Sequence, residues 1–308
     1  LKMGKIAFLF SGQGAQTVGM CKDFYDDNVT AKNLFDSGEK IKPGVKDICF
    51  ASDMQTLTKT ENAQPCLYLT DLAIAKILAD NGIKADAVAG FSLGEIPALA
   101  FAKVFSEEDG FKFVCLRGEA MKQANERHPG GMVAALKLPP ETVEKVASEF
   151  KEIYPVNYNC PGQVSCAGSF DELDAFVDAI KKEGGRAVKL AVSGAFHSPY
   201  MEEASLILKK ALESIPVHAA KIPVYSDRSG EVYPETEEGI KEALSMQVCS
   251  PVRWQKILEN MYAEGFDTFI EVGVGATLKG FVVRTLPEAK AYAVTDKASL
   301  NALLETLK

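Results

Sequence analysis

The 308-residue sequence predicts an α/β fold: a parallel sheet in a large domain, interrupted by a small inserted domain of ferredoxin-like β-α-β-β-α-β order. Three observations carry that prediction. Short, wholly apolar runs, read as strands buried on both faces, alternate with stretches of helical periodicity. One such run, Ala87-Val88-Ala89, leads through Gly90-Phe91-Ser92-Leu93-Gly94 into a helix-like stretch over 95–101. Between about 130 and 195 the alternation changes to closely spaced strands and two amphipathic helices.

Taken in order, Ile6 to Phe10 is an apolar run that ends at Ser11-Gly12, a buried strand followed at once by a loop. Residues 65–79 carry apolar side chains at 67, 69, 72, 74, 77 and 78, which predicts a helix ending near Asn81-Gly82. The Ala87 strand follows. Strands are predicted over 132–138, 155–159, 163–167 and 186–192, with helices over 141–150 and 170–182. Asn159-Cys160-Pro161-Gly162 supplies a hairpin turn, Ser169 and Glu172 read as a capping box, and Gly184-Gly185 closes the second helix. Residues 222–226 and 266–272 predict two more buried strands. The expected domains are therefore 1–128 with 196–308 for the catalytic unit, and 129–195 for the insertion.

Composition narrows the function classes. With 47% hydrophobic and 25% charged residues, the chain reads as an ordinary globular protein. A net charge of −8 disfavours nucleic acid or an anionic membrane as the main partner. The seven cysteines, at 21, 49, 66, 115, 160, 166 and 249, are scattered and lack C-x-x-C spacing, so reduced thiols and no metal are expected. No apolar run approaches a membrane span, and Leu1-Lys2-Met3-Gly4-Lys5 runs into a strand without a secretory apolar region. A cytoplasmic protein is expected, with Leu1 and Lys2 read as additions ahead of a native Met3.

The string from Gly90 to Gly94 has the form G-x-S-x-G between a strand and a helix, a nucleophile elbow. The two glycines remove side chains where strand and helix crowd, leaving the Ser92 hydroxyl clear. A serine hydroxyl needs a base, and of the three histidines His128 and His218 lie in polar stretches. His197, at the return from the small domain to the main sheet, is the base by elimination. No acid stands out to orient its ring, so either an unrecognised carboxylate or a backbone carbonyl takes its Nδ1 proton. Gln13, between two glycines after the first strand, and the Leu93 N–H read as oxyanion donors. The same loop lacks the third glycine of a dinucleotide fingerprint, since Thr17 stands there. Arg117, among apolar neighbours, serves either to grip a carboxylate or to make a structural salt bridge.

Taken together, Gly12-Gln13-Gly14-Ala15-Gln16, Gly90-Phe91-Ser92-Leu93-Gly94-Glu95, Arg117-Gly118, 157–163, Gly194-Ala195-Phe196-His197-Ser198 and Gln247 ahead of Pro251-Val252-Arg253-Trp254 resemble the malonyl-CoA:acyl carrier protein transacylase family of fatty acid synthesis. The resemblance runs from about residue 5 to 290. It implies an α/β-hydrolase-like large domain and a two-step exchange of malonyl from malonyl-CoA to the phosphopantetheine thiol of acyl carrier protein. It also implies a malonyl-serine at Ser92, free coenzyme A, no cofactor or metal, and a monomer. The Gln247 carbonyl would orient His197, Gln13 and Leu93 would form the oxyanion hole, and Arg117 would hold the malonyl carboxylate. Phe196 would crowd an α-methyl and so favour malonyl over branched groups.

One departure is Phe91, where the family usually has histidine. An acidic carrier protein would dock on local basic residues, for which Lys181, Lys182, Arg186 and Lys189 are the candidates. Two rival readings remain: a serine thioesterase or hydrolase of acyl-CoA, and a silent docking subunit.

Overall fold

β1 (Lys5–Phe10) shows how the sequence builds two packed layers around one sheet. Its side chains alternate: Ile6, Phe8 and Phe10 enter one apolar layer, whereas Ala7 and Leu9 join Ala87, Ala89, Trp254 and Phe281 in the other. A strand buried on both faces has no room for polar residues, which is why it reads as a continuous apolar run. The structure, a computed structural model, describes residues 4–192 and 194–307, so the expectation for Leu1 and Lys2 lies outside the described residues, as does Ser193.

The remaining strands are β2 (Ala87–Gly90), β3 (Gly131–Leu136), β4 (Ile153–Cys160), β5 (Gln163–Gly168), β6 (Arg186–Lys189), β7 (Val224–Tyr225), β8 (Phe266–Val272) and β9 (Lys290–Val294). Among the described residues they form two sheets. A parallel sheet has the order β7-β2-β1-β8-β9, and an antiparallel sheet has the order β4-β5-β3-β6. Phe10 is level with Gly90 on one side and Val272 on the other, so the loops after β1, β2 and β8 leave the sheet side by side. The chain runs outward from β1 in both directions, and the crevice at such a reversal is where open α/β sheets bind ligands.

The smaller sheet carries the helices Pro140–Ala147 and Phe170–Lys182, which bury Val143, Val146, Phe176 and Ile180 against Val133, Val164 and Cys166. It is tied to the parallel unit by Val252, whose N–H donates to the Val156 carbonyl at 2.7 Å and whose carbonyl accepts from the Tyr158 N–H at 2.9 Å. This strap fixes the position of one sheet against the other.

Several local expectations require correction. The stretch after β1 is a loop only briefly; it then forms the helices Lys22–Asp27, Val29–Ile41, Val45–Ala51 and Met54–Thr58. Three of these span seven residues or fewer, too short for periodicity to show. The long helix starts at Thr60 rather than 65 and carries Pro65 inside it, although proline more often marks a first turn. β6 ends at Lys189 instead of 192, and the strand expected over 222–226 shrinks to Val224–Tyr225. Ser169 precedes its helix but makes no side-chain cap; the Glu172 carboxylate instead accepts from the N–H groups of Lys151 and Glu152.

Candidate active site

The elbow is a steric consequence of its glycines. A Cβ on Gly90 would stand 2.0 Å from the Gly94 carbonyl carbon, and one on Gly94 would stand 2.3 Å from the Phe10 carbonyl oxygen. Strand, turn and helix can close only without those atoms. Ser92 takes φ +53° at the tip, a left-handed conformation that costs a non-glycine residue about 1–3 kcal/mol. Three contacts hold it there: its N–H donates to Asp227 Oδ2 at 2.7 Å, its carbonyl accepts from Gln247 Nε2 at 2.8 Å, and its Oγ lies 2.7 Å from His197 Nε2.

His197 also has a positive φ, +62°, and its N–H donates to the Val248 carbonyl at 3.0 Å. Its Nδ1 lies 3.0 Å from the Gln247 carbonyl oxygen and 3.2 Å from that of Ser250. Two carbonyls can only accept, so the proton sits on Nδ1 and Nε2 presents its lone pair to the serine hydroxyl. Burial pushes the imidazole down to about 4, with the nearby Arg117 charge acting in the same direction. The ring is therefore neutral near pH 7, the form a general base requires. His128 and His218 are both exposed on the surface.

Arg117, on the helix Glu107–Arg127, is 1% exposed. Its Nη1 donates to Gln64 Oε1 at 2.9 Å, and Nη2 donates to Gln247 Oε1 at 2.9 Å and to Ser92 Oγ at 3.2 Å. Burial lowers its pKa to about 10, opposed by the charges of Glu95 and Asp227, so it remains a cation at neutral pH. Among the described residues no carboxylate pairs with it within 4 Å, and its Nε is buried without a hydrogen-bond partner. A buried cation whose hydrogen-bond acceptors are neutral oxygens is suited to an incoming anion.

A cleft of about 380 Å³ opens between the two sheets above these groups. Ser92, His197, Gln13 and Phe196 line it from the parallel unit, and Met132 and Asn157 from the antiparallel one. Gln13 Nε2 reaches Thr60 Oγ1 at 3.4 Å, and Leu93 is fully buried in the turn Ser92–Gly94 that leads into the helix Glu95–Phe101. Phe91 packs its ring 5.4 Å from that of Trp254 and 6.2 Å from that of Phe281. The sequence-predicted residues Ser92, His197, Arg117 and Gln247 thus meet directly, while Gln13, Leu93 and Phe196 stand around the cleft and the elbow.

Sequence reasoning missed the polar groups behind the elbow. Asp227 and Glu95 are wholly buried: the Asp227 N–H donates to Glu95 Oε2 at 2.7 Å, and Tyr233 donates to Glu95 Oε1. Burial lifts Glu95 to about 7 and Asp227 well above the usual carboxylate range. Neither contacts His197, whose ring is oriented by carbonyls alone. Two signals were available, an acid at the first position of the apolar stretch Glu95–Phe101 and another just past the short strand β7.

Residues 7–303 match the Acyl transferase domain family. The chain belongs to the acyl transferase family. It is 38% identical, over 99% of its length and 98% of the relative's, to the malonyl CoA-acyl carrier protein transacylase of Bacillus subtilis. The malonyl CoA-acyl carrier protein transacylase of Clostridium perfringens superposes with a TM-score of 0.94 at 36% identity, covering 98% of this chain and 97% of that one. A malonyl-transacylase solved in complex with its type II PKS acyl-carrier protein superposes with a TM-score of 0.93 at 31% identity, covering 98% and 99%. These structures share the two-unit α/β architecture of a parallel and a separate antiparallel sheet. No helix among the described residues is long and apolar enough to cross a membrane.

Proposed function

We propose that this acyl transferase moves malonyl from malonyl-CoA to the phosphopantetheine thiol of holo acyl carrier protein, through a malonyl ester on Ser92. In the first half-reaction Ser92 Oγ attacks the thioester carbonyl carbon while His197 Nε2 takes the hydroxyl proton. The oxyanion is held by Gln13 and the Leu93 N–H. Collapse breaks the C–S bond, and the departing sulfur takes the proton from His197, leaving coenzyme A and the ester. The carrier thiol then reverses these steps, its proton passing to His197 and back to Ser92. The backbone carbonyls of Gln247 and Ser250 stabilise the imidazolium in place of an acid.

The observation that carries this reading is Arg117, a buried guanidinium 3.2 Å from Ser92 Oγ with an unpaired Nε, suited to the carboxylate at the far end of a malonyl group. Phe196 at the cleft wall would limit substitution at the malonyl α-carbon. The parallel unit is read as α/β-hydrolase-like, residues 1–128 and 196–308, and the antiparallel unit as a ferredoxin-like insertion, residues 129–195. The chain is read as a cytoplasmic monomer that needs no cofactor, in fatty acid synthesis. Lys181, Lys182, Arg186 and Lys189 are exposed on the insertion; Lys189 pairs with Asp174 and Lys181 lies near Asp178, so Lys182 and Arg186 are the stronger candidates for an acidic carrier protein.

Intact mass after brief exposure to malonyl-CoA tests the proposal. A malonyl adduct is expected on the wild type and none on Ser92→Ala; free malonate released without any acceptor would instead identify a hydrolase.

A further inference from the structure

We propose that Asp227 is a positioning residue of the transfer: one of its carboxyl oxygens binds the Ser92 backbone amide and the Gln247 side chain together, fixing the nucleophile against the carbonyl that orients its base. The inference rests on the reading of Ser92 and His197 given above, and concerns how their alignment is kept.

Asp227 Oδ2 accepts from the Ser92 N–H at 2.7 Å and from Gln247 Nε2 at 3.2 Å. Gln247 Nε2 also donates to the Ser92 carbonyl at 2.8 Å, which closes a ring of three residues around the elbow. The same glutamine gives its backbone carbonyl to His197 Nδ1 and its Oε1 to Arg117 Nη2. Nucleophile, base and guanidinium therefore all lean on one residue, Gln247, and Asp227 fastens its side chain to the backbone of the nucleophile.

Asp227 is itself anchored from three directions. Parallel pairing of Ala89 with Tyr225 brings the segment after β7 alongside the elbow. The Asp227 N–H donates to Glu95 Oε2 at 2.7 Å, and its carbonyl accepts from the Arg253 N–H at 2.8 Å. Such anchorage matters because Ser92 holds a backbone conformation that persists only where its surroundings over-determine it.

The role depends on an acceptor and not on a charge. Oδ1 has no partner, and Oδ2 accepts from two neutral N–H donors. Oδ2 alone carries both bonds, whatever the state of Oδ1. An asparagine oxygen at the same place would do the same.

The test compares Asp227→Asn with Asp227→Ala in the full chain, using malonyl-CoA and holo acyl carrier protein, with steady-state constants and the single-turnover rate of Ser92 acylation. Asp227→Asn is expected to stay within about threefold of wild type. Asp227→Ala is expected to lose about 100-fold in kcat and acylation rate, with KM for malonyl-CoA within about twofold, as a displaced reacting group would. Should the alanine variant fail to fold, Asp227→Ser, whose hydroxyl is too short to bridge both donors, is expected to show the same loss in kcat. A truncated variant that folds and acylates at the wild-type rate overturns the proposal, as does an asparagine variant that falls as far as alanine. If the wild type itself forms no adduct at Ser92, the underlying function fails instead.

Discussion

Arg117 Nη2 lies 3.2 Å from Ser92 Oγ, so a guanidinium and a nucleophile share one buried corner of the cleft. An acyl group esterified to that serine has its far end within reach of the cation. For a malonyl ester the far end is a carboxylate, and for an acetyl ester it is a methyl group. Arg117→Ala is therefore expected to slow acylation by malonyl-CoA by about 100- to 1,000-fold, the equivalent of two lost charge-assisted hydrogen bonds. Acylation by acetyl-CoA should be unchanged or faster. Rates for the two thioesters, measured separately by adduct mass, decide the matter; an unaltered malonyl preference removes Arg117 from substrate recognition.

The pH dependence follows from the buried imidazole. Because His197 titrates at about 4 rather than 6.5, the base stays neutral well into the acid range. The acid limb of kcat/KM is expected near pH 4 to 5, in place of the limb near 6.5 that an exposed histidine would give. Between pH 6.5 and 4 the unfolded chain binds this proton and the folded one does not. The histidine's stability contribution is thus full above pH 6.5 and is lost as the pH falls towards 4. A kcat/KM profile with its acid limb at 6.5 would contradict the lowering of His197 by burial.

Buried carboxyls impose the opposite slope. Glu271, at 1% exposure, is raised from 4.5 to about 7 by burial, although the N–H groups of Lys279 and Leu278 favour its charged form. Its folded form keeps the proton longer than its unfolded form, so its contribution is present below pH 4.5 and is lost as the pH rises through 7. Glu271→Gln, which keeps the shape and an acceptor oxygen for Lys279, should lessen the fall in stability between pH 5 and 8. Chemical denaturation of both proteins across that range measures the difference. Parallel curves would mean that Glu271 ionises freely in the folded state.

The elbow makes a steric prediction. A methyl group at position 94 would sit 2.3 Å from the Phe10 carbonyl oxygen, a backbone atom of the central strand that cannot move aside alone. Gly94→Ala is expected to cost about 3 kcal/mol or more and to abolish acylation even in the fraction that folds. Thermal unfolding together with adduct formation checks both parts. A variant of ordinary stability that still acylates would show that strand and helix can separate without losing the turn.

These predictions differ in how far the sequence alone anticipated them. The elbow is a local string, so Ser92 and both glycines were readable from their neighbours, and His197 emerged because only three histidines had to be sorted. Arg117 was marked by its apolar surroundings, but the choice between ligand and structural ion pair needed to see which oxygens its fork meets. Asp227 was not readable at all: 135 residues separate it from Ser92, and only the parallel pairing of β7 with β2 brings them together. The helices between 22 and 58 escaped for a different reason. Their order comes from packing Phe24, Phe35, Val45 and Leu57 into the core, and most are too short to display a repeat.

Phe91 stands immediately before the nucleophile and borders the cleft, where its ring is held in aromatic contacts with Trp254 and Phe281. It packs beside the elbow and makes none of the hydrogen bonds that align the nucleophile. Phe91→Ala should lower stability by about 2–4 kcal/mol through lost burial and lost aromatic contact. Phe91→His keeps a flat ring but brings a polar atom into the cluster, and should cost about 1–2 kcal/mol. In both variants kcat measured well below the melting temperature is expected within about threefold of wild type, since neither change touches the contacts of Ser92 with Asp227, Gln247 or His197. Paired melting and turnover measurements separate the two effects, and a large loss of kcat in the histidine variant at unchanged melting temperature would place residue 91 in the reaction itself.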